Sequence, residues 1–451
     1  MSSSVVADHP LTSPQQGMWF LERMSGTSVY VDPMTFRLTG ALDVPALRRS
    51  IEELRRRHEA LRSVFPVVDG RPVQRVTDES AVDVPVVDLS PLPAREREAE
   101  LTRLLEEDAR RRFDLARGPV MRAMLLRLGP EEHVLRMTVH HIVSDAWSWW
   151  NVLLRELETL YTAELEGGGN PLGPPPAQFS DFVRWQHRWC EGPGYRRQLA
   201  YWKERLAGLR PLPELDLAGT AEPAVGGSTT TQWATVPRPV YTALRELAGR
   251  ERATLFMVLL AAFKAVLHRH SGTADIAVGT RTAVRSRPEY HDAVGFFVNL
   301  LVIRTDLAGV ETFRDLVRAV RGSALGAYAH REIPFEKLVE ELRPPRRGGF
   351  HTLVNVLFSF QSTPEVPPGL PGLEARIVNH DPQTLYDLDL VFYEEDGDLR
   401  ALLSHGRARF GEQALAGLLA ELGEVLATVA DDPGTPLSTL LTTTGATHHA
   451  G

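Results

Sequence analysis

His140-His141-Ile142-Val143-Ser144-Asp145-Ala146-Trp147-Ser148-Trp149-Trp150 closes an apolar run and opens a helical pattern, and the fold is read outward from this junction. Upstream, residues 133–141 alternate as a strand does, with side chains at period two. Leu135, Met137, Val139 and His141 fall on one face, and Val134, Arg136, Thr138 and His140 on the other. The two imidazoles then point apart and are poorly placed to chelate one metal. His141 is expected on the apolar side, where water is scarce, and His140 among polar residues. Downstream, Trp150, Leu153, Leu154, Leu157, Leu160 and Tyr161 recur at the spacing of an amphipathic helix. Ser144 suits its N-cap and Asp145 its first turn, where a negative charge complements the dipole. His141 would stand beside a carboxylate at a helix start, where an imidazole can be held in one tautomer and accept a proton. The same residues admit a plain structural reading: two strand histidines and an aspartate that begins a helix.

At 451 residues the chain is long enough for two domains of ordinary size. Its net charge is −8, and its arginines form no run longer than short ones such as Arg55–Arg57 and Arg110–Arg112. No basic stripe exists, so nucleic acid is not an expected partner. Cys190 is the single cysteine, which excludes an intrachain disulfide and any multi-cysteine metal site. No Gly-rich phosphate loop, dinucleotide fingerprint or serine elbow is present. His58-Glu59-Ala60-Leu61-Arg62 begins like a zinc-protease helix but lacks the second histidine, and no metal site is expected. The polar N-terminus lacks an apolar signal core, and no run reads as the roughly 18 apolar residues of a membrane helix. No membrane partner and a cytoplasmic location are the expectation.

Mixed helix and strand patterns fill the rest, an α+β or α/β chain. Residues 1–10 read as disordered. Helices are expected at 13–24, 43–60, 94–112 and from Asp145 to about Glu166, with strands at 35–38, 62–67, 72–76, 119–128 and 133–141. Gly167-Gly168-Gly169-Asn170-Pro171-Leu172-Gly173-Pro174-Pro175-Pro176 is the clearest linker, glycine to bend and proline to stop a helix. As a linker it would divide the chain into 1–175 and 176–451. The second part again alternates, with helices at 178–190, 193–206, 239–249, 253–270, 311–325, 334–342 and 411–429. Its strands fall at 230–236, 275–281, 296–304, 353–360, 386–395 and 398–405.

With these residues in view, the sequence resembles the condensation domains of nonribosomal peptide synthetases, within the chloramphenicol acetyltransferase-like superfamily. The resemblance runs over about residues 10–440. It is carried in order by Leu11-Thr12-Ser13-Pro14-Gln15-Gln16-Gly17-Met18-Trp19-Phe20, Arg57-His58-Glu59-Ala60-Leu61-Arg62-Ser63-Val64-Phe65, and Phe113-Asp114-Leu115 with Gly118-Pro119 and Arg122. His140-His141…Asp145 is the core motif. Phe179-Ser180-Asp181-Phe182-Val183-Arg184-Trp185, Val294-Gly295-Phe296-Phe297-Val298-Asn299 and His330-Arg331-Glu332-Ile333-Pro334-Phe335-Glu336-Lys337-Leu338 follow.

The resemblance implies two acetyltransferase-like lobes in a V, with the active site in a tunnel between them and the lobe boundary at the glycine- and proline-rich linker, between 1–175 and 176–451. It implies His141 as the catalytic histidine, with His140 and Asp145 completing the catalytic motif. Asp145 would be held by an arginine: Arg285 by position, or Arg62 as second choice. Ala146, Trp147, Ser148, Gly295 and Asn299 would line the substrate tunnel. No bound cofactor is implied. The donor would be an acyl thioester on the phosphopantetheine arm of a carrier protein in trans, and the acceptor a small-molecule hydroxyl or amine. The sequence departs from the family at Ala146, where a glycine is usual, and at Trp149 and Trp150, where smaller residues are usual. The two tryptophans read as core or as channel walls. The family's Asp-Arg-Pro-Arg-Pro segment is missing near Gly219-Thr220-Ala221-Glu222-Pro223. No carrier or adenylation motif is found, which suggests a free-standing condensation enzyme of natural-product biosynthesis. A coenzyme A-dependent acyltransferase and a non-catalytic carrier-recruiting module are the alternatives.

Overall fold

The alternation through residues 133–140 does form a strand, Glu132–His140, and it is the middle strand of five. A computed structural model of the protein describes residues 5–25, 30–79, 82–175, 177–213, 215, 229–344, 353–362, 366–378, 384, 386–395, 397–406 and 411–442. The Gly219–Pro223 segment and the tail beyond residue 442 lie outside the described residues.

The chain divides into two units. The first comprises Met1–Tyr195, Ala283–Val298 and Glu365–His380; the second comprises Arg196–Thr282, Asn299–Pro364 and Asp381–Gly451. Residues 176–195, 283–298 and 365–380 thus fall in the first unit, although they lie past the boundary expected at 175/176. The glycine- and proline-rich run itself stays with the first unit, where Arg57 donates to Gly173 O over 2.7 Å.

In the first unit the five strands run Leu373–Ile377, Val31–Gly40, Glu132–His140, Met121–Gly129 and Val86–Asp88. All neighbours are antiparallel except the last pair. Leu135, Met137 and Val139 are buried with Phe36 and Leu38, and with Leu47, Ile51, Leu54, Leu153, Leu157 and Leu160 from the helices Val44–Arg57 and Leu154–Leu165 and the turn before the second. Each fully buried aliphatic side chain contributes roughly 1.5–3 kcal/mol. The opposite strand face is also buried, but polar. Asp108, from the helix Ala94–Arg110, accepts from Arg136 (2.9 Å), Thr138 (2.6 Å) and Arg122 (2.5 Å). Burial by itself would raise the Asp108 pKa; the bonds from Arg122, Thr138 and Arg136 outweigh it and hold the carboxyl below its ordinary range.

Three strands escape the periodic reading. Val5–Pro10, expected to be disordered, pairs antiparallel with Arg71–Thr77. Leu373–Ile377 adds to the edge of Val31–Gly40, and the short Val86–Asp88 to the other edge. The strand after the first helix is also longer than expected, Val31–Gly40 rather than 35–38.

The second unit holds a six-stranded sheet: Val298–Asp306, Asp275–Ala283, Val356–Gln361, Leu388–Glu395, Asp398–His405 and Thr230–Val236. Its central helix, Leu255–Ser271, is buried at every position from Phe256 to Leu267, the mark of a helix that is apolar all round. The helix Glu412–Asp431 is long and apolar enough to cross a membrane, contrary to the sequence expectation. It buries Leu415, Leu418, Leu422 and Leu426, as a core helix does.

Candidate functional site

Strand Glu132–His140 ends one residue earlier than its alternation suggests, and this reverses the environments of the two histidines. His140 is the last strand residue and is 0 % exposed. Its ring lies 5.8 Å from Phe113 and 6.2 Å from Tyr30. The backbone N–H of Ile142 donates to His140 Nδ1 over 3.0 Å, so Nδ1 must be unprotonated and Nε2 carries the hydrogen. Nε2 faces Glu22, 3.9 Å away. Burial lowers the His140 pKa, with Glu22 acting against it. His140 thus holds the turn as a neutral ring with no exposed surface.

His141 opens a short 3-10 turn, His141–Val143, and its side chain is 36 % exposed. Its backbone N–H donates to Tyr30 O at 2.8 Å, which pins the junction to the neighbouring strand. Its Nδ1 is buried, so the exposed part of the ring is the side that carries Nε2.

The helix begins at Ala146, and Asp145, not Ser144, caps it. Asp145 Oδ1 accepts from the backbone N–H and the hydroxyl of Ser148, each at 2.7 Å. The Ser144 hydroxyl is buried without a hydrogen-bond partner. Arg285 Nη2 meets Asp145 Oδ1 at 2.9 Å and Oδ2 at 3.3 Å, and donates to Ser148 Oγ at 2.9 Å. Arg285 Nη1 donates to the carbonyls of Tyr290 (2.6 Å) and Ala293 (2.7 Å). Its guanidinium lies 3.9 Å from the centre of the Phe297 ring, whose backbone N–H donates to Asp145 Oδ2 at 3.0 Å. Asp145 and Arg285 are both nearly sealed from water, with side chains 2 % and 3 % exposed. Burial pushes the arginine below its ordinary pKa and Asp145 works against it. A buried ion pair of this kind is tolerable because nearly every polar atom in it is bonded.

The structure therefore brings Asp145, Ser148, Gly295 and Arg285 together. Gly295 N donates to Ser148 Oγ at 3.2 Å, and Gly295 O lies 3.1 Å from the same oxygen. A Cβ on Gly295 would lie 2.1 Å from Phe179, so glycine is required by the close approach of that ring. Arg62 is not part of the cluster; it donates to Thr77 O. Ala146 is exposed, and Trp147 is 37 % exposed with its indole N–H on His291 O at 2.9 Å. Asn299 lies in the second unit, where its amide donates to Arg331 O and Ile333 O and its oxygen accepts from Leu300 N and Phe335 N. Of the two tryptophans, Trp149 is core at 1 % exposure and Trp150 is half-buried. Residues Ser148–Leu153 form a π turn, a form often found at functional sites. Asp32 was not singled out in the sequence, yet its Oδ2 accepts from the Trp149 indole at 2.8 Å and stands 3.8 Å from His141 Nδ1. No cluster of three metal-ligating side chains exists among the described residues.

The site is thus a half-exposed imidazole at the end of a strand, followed by a sealed Asp–Arg–Ser lock. Over residues 6–450 the sequence matches the condensation-domain family, and the chain belongs to that family. It is 38 % identical over 442 residues to the chondramide synthase cmdD of Chondromyces crocatus, which covers 96 % of this chain and 11 % of that protein. It is 36 % identical over 439 residues to the phosphinothricin tripeptide synthetase PhsC of Streptomyces viridochromogenes, covering 96 % of this chain and 40 % of that one. The chain thus spans a minor share of these relatives. Among solved structures, the X-domain from teicoplanin biosynthesis matches with a TM-score of 0.85 and 26 % identity, covering 95 % and 96 % of the two chains. SgcC5 of Streptomyces globisporus matches at 0.76 and 26 %, covering 95 % and 100 %.

Proposed function

We propose that this chain transfers an acyl group from a thioester on a carrier protein's phosphopantetheine arm to an amine or hydroxyl acceptor. One observation carries the reading: His141 is the exposed member of a junction in which His140, Asp145 and Arg285 are buried and engaged. In the step, the acceptor's nitrogen or oxygen attacks the thioester carbonyl. Its proton passes to His141 Nε2, the new C–N or C–O bond forms, the C–S bond breaks, and the departing thiolate takes up the proton. Because the thioester is already activated, no covalent enzyme intermediate is needed. General-base assistance of this kind supplies roughly 10²–10⁴-fold, and alignment of donor and acceptor up to about 7–11 kcal/mol. Asp145 and Arg285 act by fixing the backbone that carries His141. His140 holds the turn and does not meet substrate. The similarity to SgcC5, whose solved complex contains a 1,2-ethanediol derivative, supports including hydroxyl acceptors beside amines.

The X-domain similarity favours a second reading, since one solved complex pairs that domain with OxyB: a module that recruits a partner without chemistry. One experiment separates the readings. A carrier protein loaded with an acyl-phosphopantetheine arm, and the same acyl group on coenzyme A, are each incubated with the protein and a panel of amines and alcohols. Mass spectrometry follows the product. Transfer from the carrier and little from coenzyme A is expected. Preferential use of the coenzyme A donor supports the small-thioester alternative, and carrier binding without product from wild-type protein supports recruitment.

A further inference from the structure

Asp145 follows His141 in the motif, but it does not touch the His141 ring: its oxygens are engaged by Ser148, Arg285 and Phe297. The carboxylate that faces the ring comes from elsewhere. Asp32 lies on Val31–Gly40, in register with Val139 two residues before His141. Tyr30, two residues before Asp32, accepts the His141 backbone N–H. Backbone and side chain of one short segment thus bracket the histidine. Asp32 Oδ2 stands 3.8 Å from His141 Nδ1, and this nitrogen is buried without a hydrogen-bond partner. Asp32 is itself largely covered, its side chain 15 % exposed. The oxygen that faces Nδ1 is the one that accepts from the Trp149 indole at 2.8 Å. Trp149 is 1 % exposed and cannot swing away without opening the core.

We infer that Asp32, held in place by Trp149, is the positioning residue that sets the tautomer of His141. An ionised carboxylate only accepts, so the nitrogen facing it is favoured as N–H. Nδ1 then carries the proton and Nε2, on the exposed side, is left as the acceptor. When Nε2 takes a proton from the acceptor substrate, the resulting imidazolium stands beside a negative charge that is already in place. This inference rests on the acyl-transfer reading for its use, but not for its existence, because the Asp32–His141 pair is a property of the ligand-free protein.

The test is made without substrate. Protein labelled with ¹⁵N-histidine is observed by long-range ¹H–¹⁵N correlation at a pH where the imidazole is neutral, and the His141 signals are assigned by their loss in His141→Gln. In wild-type protein the expected result is a protonated-type shift at Nδ1 and an unprotonated-type shift at Nε2. Asp32→Leu is expected to lose this preference and give averaged shifts. Trp149→Phe keeps the carboxylate but frees it, and is expected to move the shifts the same way, less far. An Nε2–H ring in the wild type, or an unchanged tautomer in a folded Asp32→Leu protein, overturns the inference. A wild type with the expected tautomer but no transfer activity sinks the acyl-transfer reading and leaves the Asp32 assignment standing.

Discussion

Asp145 and His141 differ in what they do for the protein, and the difference is measurable. Asp145 is buried, caps a helix, and neutralises Arg285. Removing it leaves a guanidinium sealed from water beside orphaned donors. Breaking one side of such a buried pair costs about 3–5 kcal/mol. Asp145→Ala is therefore expected to lower stability by that order in urea unfolding, and a loss below about 1 kcal/mol contradicts the lock. His141 is half-exposed and its ring makes no hydrogen bond among the described residues. His141→Ala is expected to leave stability within about 0.5 kcal/mol of wild type. At this scale the motif and the Asp145–Arg285 pairing could be anticipated from family resemblance, because they are carried by short stretches with fixed spacing. Asp32 could not. Its contact depends on strand register and on an indole from the far side of the junction, neither of which leaves a local signal. The placement of the histidines was also out of reach, since alternation does not reveal the residue at which a strand stops.

Between elements, Gly295 against Phe179 is a joint with no room for a Cβ. The loop that carries Gly295 also supplies its backbone to Ser148. A methyl group there collides with a ring that is itself wedged against Phe182 and Phe297, at 5.6 and 5.0 Å between ring centres. Gly295→Ala is expected to destabilise by about 1–3 kcal/mol. Combining it with Phe179→Leu is expected to recover part of the loss. Two costs that simply add in a double-mutant cycle would contradict direct contact. Most helices and central strands were legible because their apolar residues follow one clean period. The edge strands were not. Leu373–Ile377 is buried only in part, and its partner strand is distant in sequence. Val5–Pro10 sits in exposed, half-polar surroundings that read as a tail. The π turn at Ser148–Leu153 was equally hidden, because its residues keep a helical spacing of apolar side chains.

For the molecule as a whole, a buried lysine gives stability a pH dependence that can be isolated by one substitution. Lys264 lies in the apolar central helix of the second unit and is 0 % exposed. Its amine donates to Ile276 O at 2.8 Å and Ile303 O at 2.6 Å. Burial, with Arg205 adding to it, lowers its pKa well below the lysine range. The unfolded chain therefore holds the lysine proton more tightly than the folded protein does. That favours unfolding at neutral pH, and the effect fades as pH rises toward the unfolded lysine pKa of about 10.4. Wild type is therefore expected to gain stability relative to Lys264→Met between pH 7 and pH 10 in matched denaturant titrations. A constant difference would mean that the amine stays charged in the fold.

The division of the chain was the least legible feature at this scale. A glycine- and proline-rich run looks like a boundary, yet here it is tied to the first unit, and later segments return to that unit. Such returns depend on sheet edges and on the loop bearing Arg285, which no composition shift announces.

His141 as the proton acceptor in acyl transfer is the claim on which the functional proposal depends. The direct measurement is the single-turnover rate of product formation from an acyl-loaded carrier protein, wild type against His141→Ala, with folding of both checked by urea unfolding. A fall of roughly 10²–10⁴-fold at unchanged stability is predicted; a variant that transfers the acyl group at the wild-type rate would contradict it.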